Sequence, residues 1–87
     1  MLVKKFVGCK EITAGDGTIL RETLSGLHDK VDCRYSLAHA RLLPGKRSLR
    51  HALKTSEVYY ILNGQGRMHI GEEFADVEAG CAIDIPH

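Results

Sequence analysis

His51 and Glu57 stand six positions apart in a segment that opens on Pro44-Gly45 and closes on Asn63-Gly64. An imidazole and a carboxylate are both ligands for a divalent transition metal, and without a metal the same pair can form a hydrogen-bonded acid and base. Residues i and i+2 of a strand point to one face, so a histidine two places after His51 would aim a second imidazole at the same point. Leu53 stands there and has nothing to donate. A tight site uses three or four protein ligands. His39, before Pro44-Gly45, and His69, after Asn63-Gly64, are candidates for a third, against the alternative of ordinary hydrogen-bonded strand histidines. Glu57 shares a strand face with Tyr59 and Ile61. That face is expected to be buried, and an inward carboxylate needs a partner: His51, a metal ion or a tyrosine phenol.

Lys46, Arg47, Arg50 and Lys54 bracket His51. Arginine forks can clamp a small anion such as a carboxylate or sugar phosphate; equally, such charges blunt a solvated strand edge against aggregation. Cys9, Cys33 and Cys81 are odd in number, far apart and without a C-x-x-C pair. They are expected to be reduced thiols acting as small buried hydrophobes, not a disulfide framework or a zinc knuckle. Gly64-Gln65-Gly66 lacks the following helix that a phosphate loop requires.

The elements that must position these groups are short. Glycines at 15, 17, 26, 45, 64, 66, 71 and 80 divide the chain into runs suited to strands. Strands are expected over residues 18–24, 33–43, 57–62, 67–70, 74–77 and 81–85. In the second, Ser36, Ala38, Ala40 and Leu42 fall on one face and Tyr35, Leu37, His39 and Arg41 on the other. Asn63-Gly64 is the dipeptide of a tight hairpin, so the strand starting at Glu57 is expected to turn there and return along Arg67 to Ile70. Residues 2–7 fit a strand or a first helical turn, and 25–32 a loop. Regular short strands of this kind mean an all-β sandwich, jelly roll or barrel.

At 87 residues the chain is read as a single domain with a small core, and a domain this short buries only about 60% of its unfolded surface. A homodimer is the default expectation. Apolar residues are 44% and charged residues 26%, with a formal charge of +1, which gives no electrostatic reason to expect nucleic acid or an anionic membrane. No signal-peptide core follows Met1, and no run reaches the roughly 18 apolar residues of a membrane span. A cytoplasmic location is expected.

From Gly45 the chain reads Gly45, five residues, His51, Ala52, Leu53, three residues, Glu57, six residues, Gly64. This resembles the first cupin motif, with every spacing kept and its second histidine replaced by Leu53. Gly80, five residues, Pro86 resembles the opening of the second cupin motif, whose later glycine, histidine and asparagine would fall after His87. The resemblance covers residues 45–86, with 1–44 supplying the early strands, 45–64 the first motif and 80–87 the start of the second. It implies an all-β cupin jelly-roll barrel that is C-terminally incomplete, with two or three further strands supplied by a longer protein or a second chain. It also implies one divalent metal (Zn, Fe, Ni or Mn), with His51 and Glu57 as its ligands here, and a small-molecule ligand in the barrel. Three roles go with that resemblance: a metal-dependent enzyme on a sugar or small acid, a non-catalytic ligand-binding or sensing cupin with a vestigial site, or a metal-free sugar isomerase or epimerase.

Overall fold

Seven strands and one short 3-10 turn make up the regular structure of this all-β protein, seen in a computed structural model that describes residues 1–13, 17–26, 29, 32, 34–48 and 56–86. No α-helix occurs among the described residues. The chain divides into two compact units, Met1–Arg50 and His51–His87. The strands form three antiparallel sheets, and none of them closes on itself.

In the first unit, β1 (Glu11–Thr13), β2 (Ile19–Ser25) and β3 (Ser36–Arg41) lie in the order β1-β2-β3. Register gives this sheet two unlike faces. Glu11, Arg21 and His39 form one cross-strand row, and Thr13, Ile19 and Arg41 form the next row on the same face. The opposite face carries the apolar row Ile12, Leu20 and Ala40, which is the expected alternation of β3 set against its neighbours. A bulge at Thr23 shifts the β2–β3 register, and the Thr23 hydroxyl donates to the Leu37 carbonyl at 2.7 Å beside it. Residues 2–7, open to two readings in the sequence, form no strand and lead into a 3-10 turn, Phe6–Gly8. It is tied to the sheet by Arg21, whose Nη1 donates to the Phe6 carbonyl at 3.1 Å. Lys4 reaches Asp29 at 3.0 Å, and Asp29 in turn accepts from the Ser25 backbone N–H at 2.9 Å. Cys9 and Ser25, 9% and 4% exposed, are the buried residues among those described.

In the second unit, β4 (Glu57–Tyr60) pairs with β7 (Ala82–Ile85), and β5 (Gln65–Ile70) pairs with β6 (Glu73–Glu78). The pairs are nested. Backbone bonds from Ile61 N–H to the Cys81 carbonyl, and from Ala79 N–H to the Gly64 carbonyl, carry the pairing from one ladder towards the other. The expected hairpin at Asn63-Gly64 is therefore not formed: β4 turns back on β7, and β5 on β6. The physical reason is local. A type I′ turn needs positive φ at both central residues. Gly64 has φ +86°, but no described non-glycine residue, Asn63 included, has positive φ. The tight turn lies instead at Gly71-Glu72, between the paired Ile70 and Glu73, where Gly71 at φ +60° meets the type II′ requirement for glycine at the first central position.

Candidate functional site

Glu57 opens β4 and sits opposite Ile85, next to Pro86, so the carboxylate of the first motif and the strand of the second are neighbours in one ladder. Glu57, Ile61, Cys81, Ile83 and Ile85 are half-buried but Tyr59, on the same face, is 38% exposed, so this face is not the buried one expected; Val58 and Tyr60, on the opposite face, are more exposed still. Tyr59, two residues on, is held in its protonated form above the usual phenol range, first by burial and then by the charge and hydrogen bond of Glu57. A tyrosine phenol is thus one partner the Glu57 carboxylate has. His51 and Leu53 lie outside the described residues, as do Arg50 and Lys54 of the basic stretch; Lys46 and Arg47 are exposed. Of the two expected metal ligands only Glu57 lies among the described residues, and Leu53, at the second histidine position, has no donor.

The two further histidines are in dissimilar settings. His69 pairs with Phe74 across the β5–β6 ladder, ring centroids 6.0 Å apart, on the face that also carries Arg67 and Asp76. Arg67 covers Phe74 at 4.7 Å and bonds Asp76 through Nε at 2.8 Å. That bond, with the attraction of opposite charges, holds the Asp76 carboxyl below its usual range and the Arg67 guanidinium above its own. No group of three His, Cys, Asp or Glu side chains suited to a metal ion occurs among the described residues.

His39 belongs to a constellation that motif spacing does not reveal. Its ring meets Phe6 edge-on at 4.8 Å, Phe6 carries the Arg21 guanidinium at 4.4 Å over its face, and Arg21 is the cross-strand partner of His39. Glu11 lies between two arginines: Oε2 is 3.5 Å from Arg21 Nη2, and Oε1 is 3.5 Å from Arg41 Nη2. Phe6, Glu11, Ile19, Arg21, His39 and Arg41 line a cavity of about 150 Å³. The i, i+2 spacing of Ile19 with Arg21 and of His39 with Arg41 is visible in the sequence. That these two pairs face each other depends on register, which no local pattern states.

Cys9 is buried as expected of a small hydrophobe, whereas Cys81 is only half-buried. Both are free: the Cys9 Sγ–H donates to the Lys5 carbonyl at 3.4 Å, and the Cys81 Sγ accepts from the Glu78 N–H at 3.5 Å. Cys33 lies outside the described residues. No helix among the described residues is long and apolar enough to cross a membrane.

Against known proteins, the chain is similar to an uncharacterized protein of Methanocaldococcus jannaschii, 40% identical over 74 residues that make up 82% of this chain and 57% of the other. The chain thus spans a little over half the length of the curated relative it matches. No protein-family model matches, and no solved structure does.

Proposed function

We propose that this chain is a small cytoplasmic module of the cupin jelly-roll type that binds a small organic ligand together with one divalent metal ion held by His51 and Glu57. The observation that carries the reading is the way the motif positions are used. Gly45, Gly64 and Gly80 all have positive φ, at +77°, +86° and +93°, and Glu57 heads a strand hydrogen-bonded to the strand that runs into Pro86. Gly17 and Gly71, outside the motifs, share the conformation that side chains avoid, so what is particular to the motif positions is the pairing of the Glu57 strand with the strand before Pro86. A half-buried Glu57 beside a protonated Tyr59 supplies a carboxylate with a reason to point inward.

Leu53 in place of a second histidine favours binding over catalysis, because a two-ligand site holds a metal weakly. When bound, the metal would supply Lewis-acid polarisation of a ligand oxygen. Glu57 and His51 would hold it, with the Tyr59 phenol as hydrogen-bond donor to Glu57 on the same face of β4. A homodimer is part of the proposal. The test is the metal content of the purified protein beside His51→Ala and Glu57→Gln. Near-stoichiometric zinc, iron, nickel or manganese that is lost in both variants supports the reading. Equal metal content in all three proteins, or none in any, removes the metal from it.

A further inference from the structure

We propose that the β1–β2–β3 sheet carries a binding site for the oxyanion headgroup of a small molecule, a carboxylate or a phosphoryl group, and that Glu11 is a tethered placeholder which the incoming anion displaces. The site uses none of the motif residues.

Charge decides the class of ligand. Among the described residues, two guanidiniums, Arg21 and Arg41, face a single carboxylate, Glu11, leaving a formal excess of one positive charge in a shared cavity. A cation is repelled from such a place and an anion is drawn to it. His39 adds a ring N–H donor in either neutral tautomer. Geometry decides why the internal carboxylate yields. Each Glu11 oxygen lies 3.5 Å from a guanidinium nitrogen, well beyond the 2.7–2.9 Å of a good charge-assisted bond. The arginine forks are therefore only loosely engaged, and a free anion can settle between them at full bonding distance.

The arginines are prepared to different degrees. Arg21 is fixed by stacking on Phe6 at 4.4 Å and by its bond to the Phe6 carbonyl, and its side chain is 24% exposed. Arg41 is 59% exposed and ends the strand, so it closes on the ligand from the solvent side. Ile19 and the Phe6 ring give the cavity apolar walls beside the paired charges. Drug-sized ligands occupy pockets of about 300 Å³ and upward. At about 150 Å³ the cavity admits a headgroup and leaves the rest of the ligand outside.

The experiment is an NMR titration of the full chain with inorganic phosphate and, separately, with succinate, at constant ionic strength, following the backbone amides of residues 11, 21, 39 and 41 and the Nε–H groups of both arginines. Saturable shifts confined to these groups are expected. Phosphate alone saturating assigns a phosphoryl ligand, and succinate alone a carboxylate. Arg41→Gln is expected to weaken binding at least tenfold and Arg41→Lys to weaken it less, because lysine keeps the charge but not the fork. Glu11→Gln is expected to tighten binding several-fold, since it removes the competing carboxylate. That last sign separates a ligand site from a purely structural charge cluster. No saturable shift with either anion in the wild-type and Glu11→Gln proteins, or weaker binding in Glu11→Gln with the fold intact by amide dispersion, would overturn the proposal.

Discussion

At the scale of single residues, the Glu57–Tyr59 pair makes the most direct prediction. Burial raises the Tyr59 phenol first, and the Glu57 carboxylate adds to it. A raised folded-state value means that the proton is held more tightly in the native chain, so the associated stability is present below the ordinary phenol value of 10.0 and is lost as the pH climbs through the higher folded one. In Glu57→Gln the phenol is expected to titrate lower than in the wild type but to stay above 10.0, because the burial contribution remains. Site-resolved carbon NMR of Tyr59 across alkaline pH reads this directly, and an unchanged midpoint would show that Glu57 does not act on the ring. Asp76 behaves with the opposite sign. Its carboxyl is depressed by Arg67, so the pair contributes above the ordinary carboxyl value of 3.8 and fades as the pH falls through the lower folded value. Both side chains are more than half exposed, so the effect on stability is expected to be small and weaker still in high salt. In Arg67→Gln the Asp76 carboxyl should titrate close to 3.8.

At the scale of elements, the nested pairing of β4 with β7 around β5–β6 rests on the Gly71-Glu72 turn. Glycine at 71 carries φ +60°, and a Cβ there would meet nothing within 4 Å, so a substitution acts through backbone strain and not through a clash. Gly71→Ala is expected to cost about 1 kcal/mol, read as a lower denaturation midpoint at unchanged slope. Exchange protection should fall first at residues 70 and 73, which flank the turn. The same ladder explains why two of the sequence expectations diverge. Strands over 67–70, 74–77 and 81–85 were legible as short runs between glycine turns, and they form over Gln65–Ile70, Glu73–Glu78 and Ala82–Ile85. The partner of β4 was not, because Asn63-Gly64 is compatible with a hairpin and with a bend, and only the backbone at Asn63 separates the two.

At the scale of the whole molecule, large apolar side chains stand exposed on the strands of both units: Leu37 at 58% and Ile12 at 52% in the first, Val58 at 68% and Tyr60 at 62% in the second. Val58 and Tyr60 share one face of β4, opposite Asp84 and Ala82. Apolar area of this kind favours association, which agrees with the proposed homodimer. Sedimentation is expected to show concentration-dependent self-association that the double variant Val58→Thr/Tyr60→Ser weakens about tenfold. A monomer at all concentrations would remove the dimer from the proposed function.

The amino-acid order by itself determined the all-β class, the approximate strand limits, the turns at Pro44-Gly45 and Gly71-Glu72, and the pairing of Glu57 with the face of Tyr59 and Ile61. These follow from short-range rules: period-two alternation, positive φ at glycine, fixed φ at proline. Tertiary structure alone decided which strands pair, and with that the meeting of Glu11, Arg21, His39 and Arg41. Those four residues come from three strands across thirty-one positions of sequence. Their convergence depends on a register in which a slip of one residue would turn every side chain of a strand to the other face.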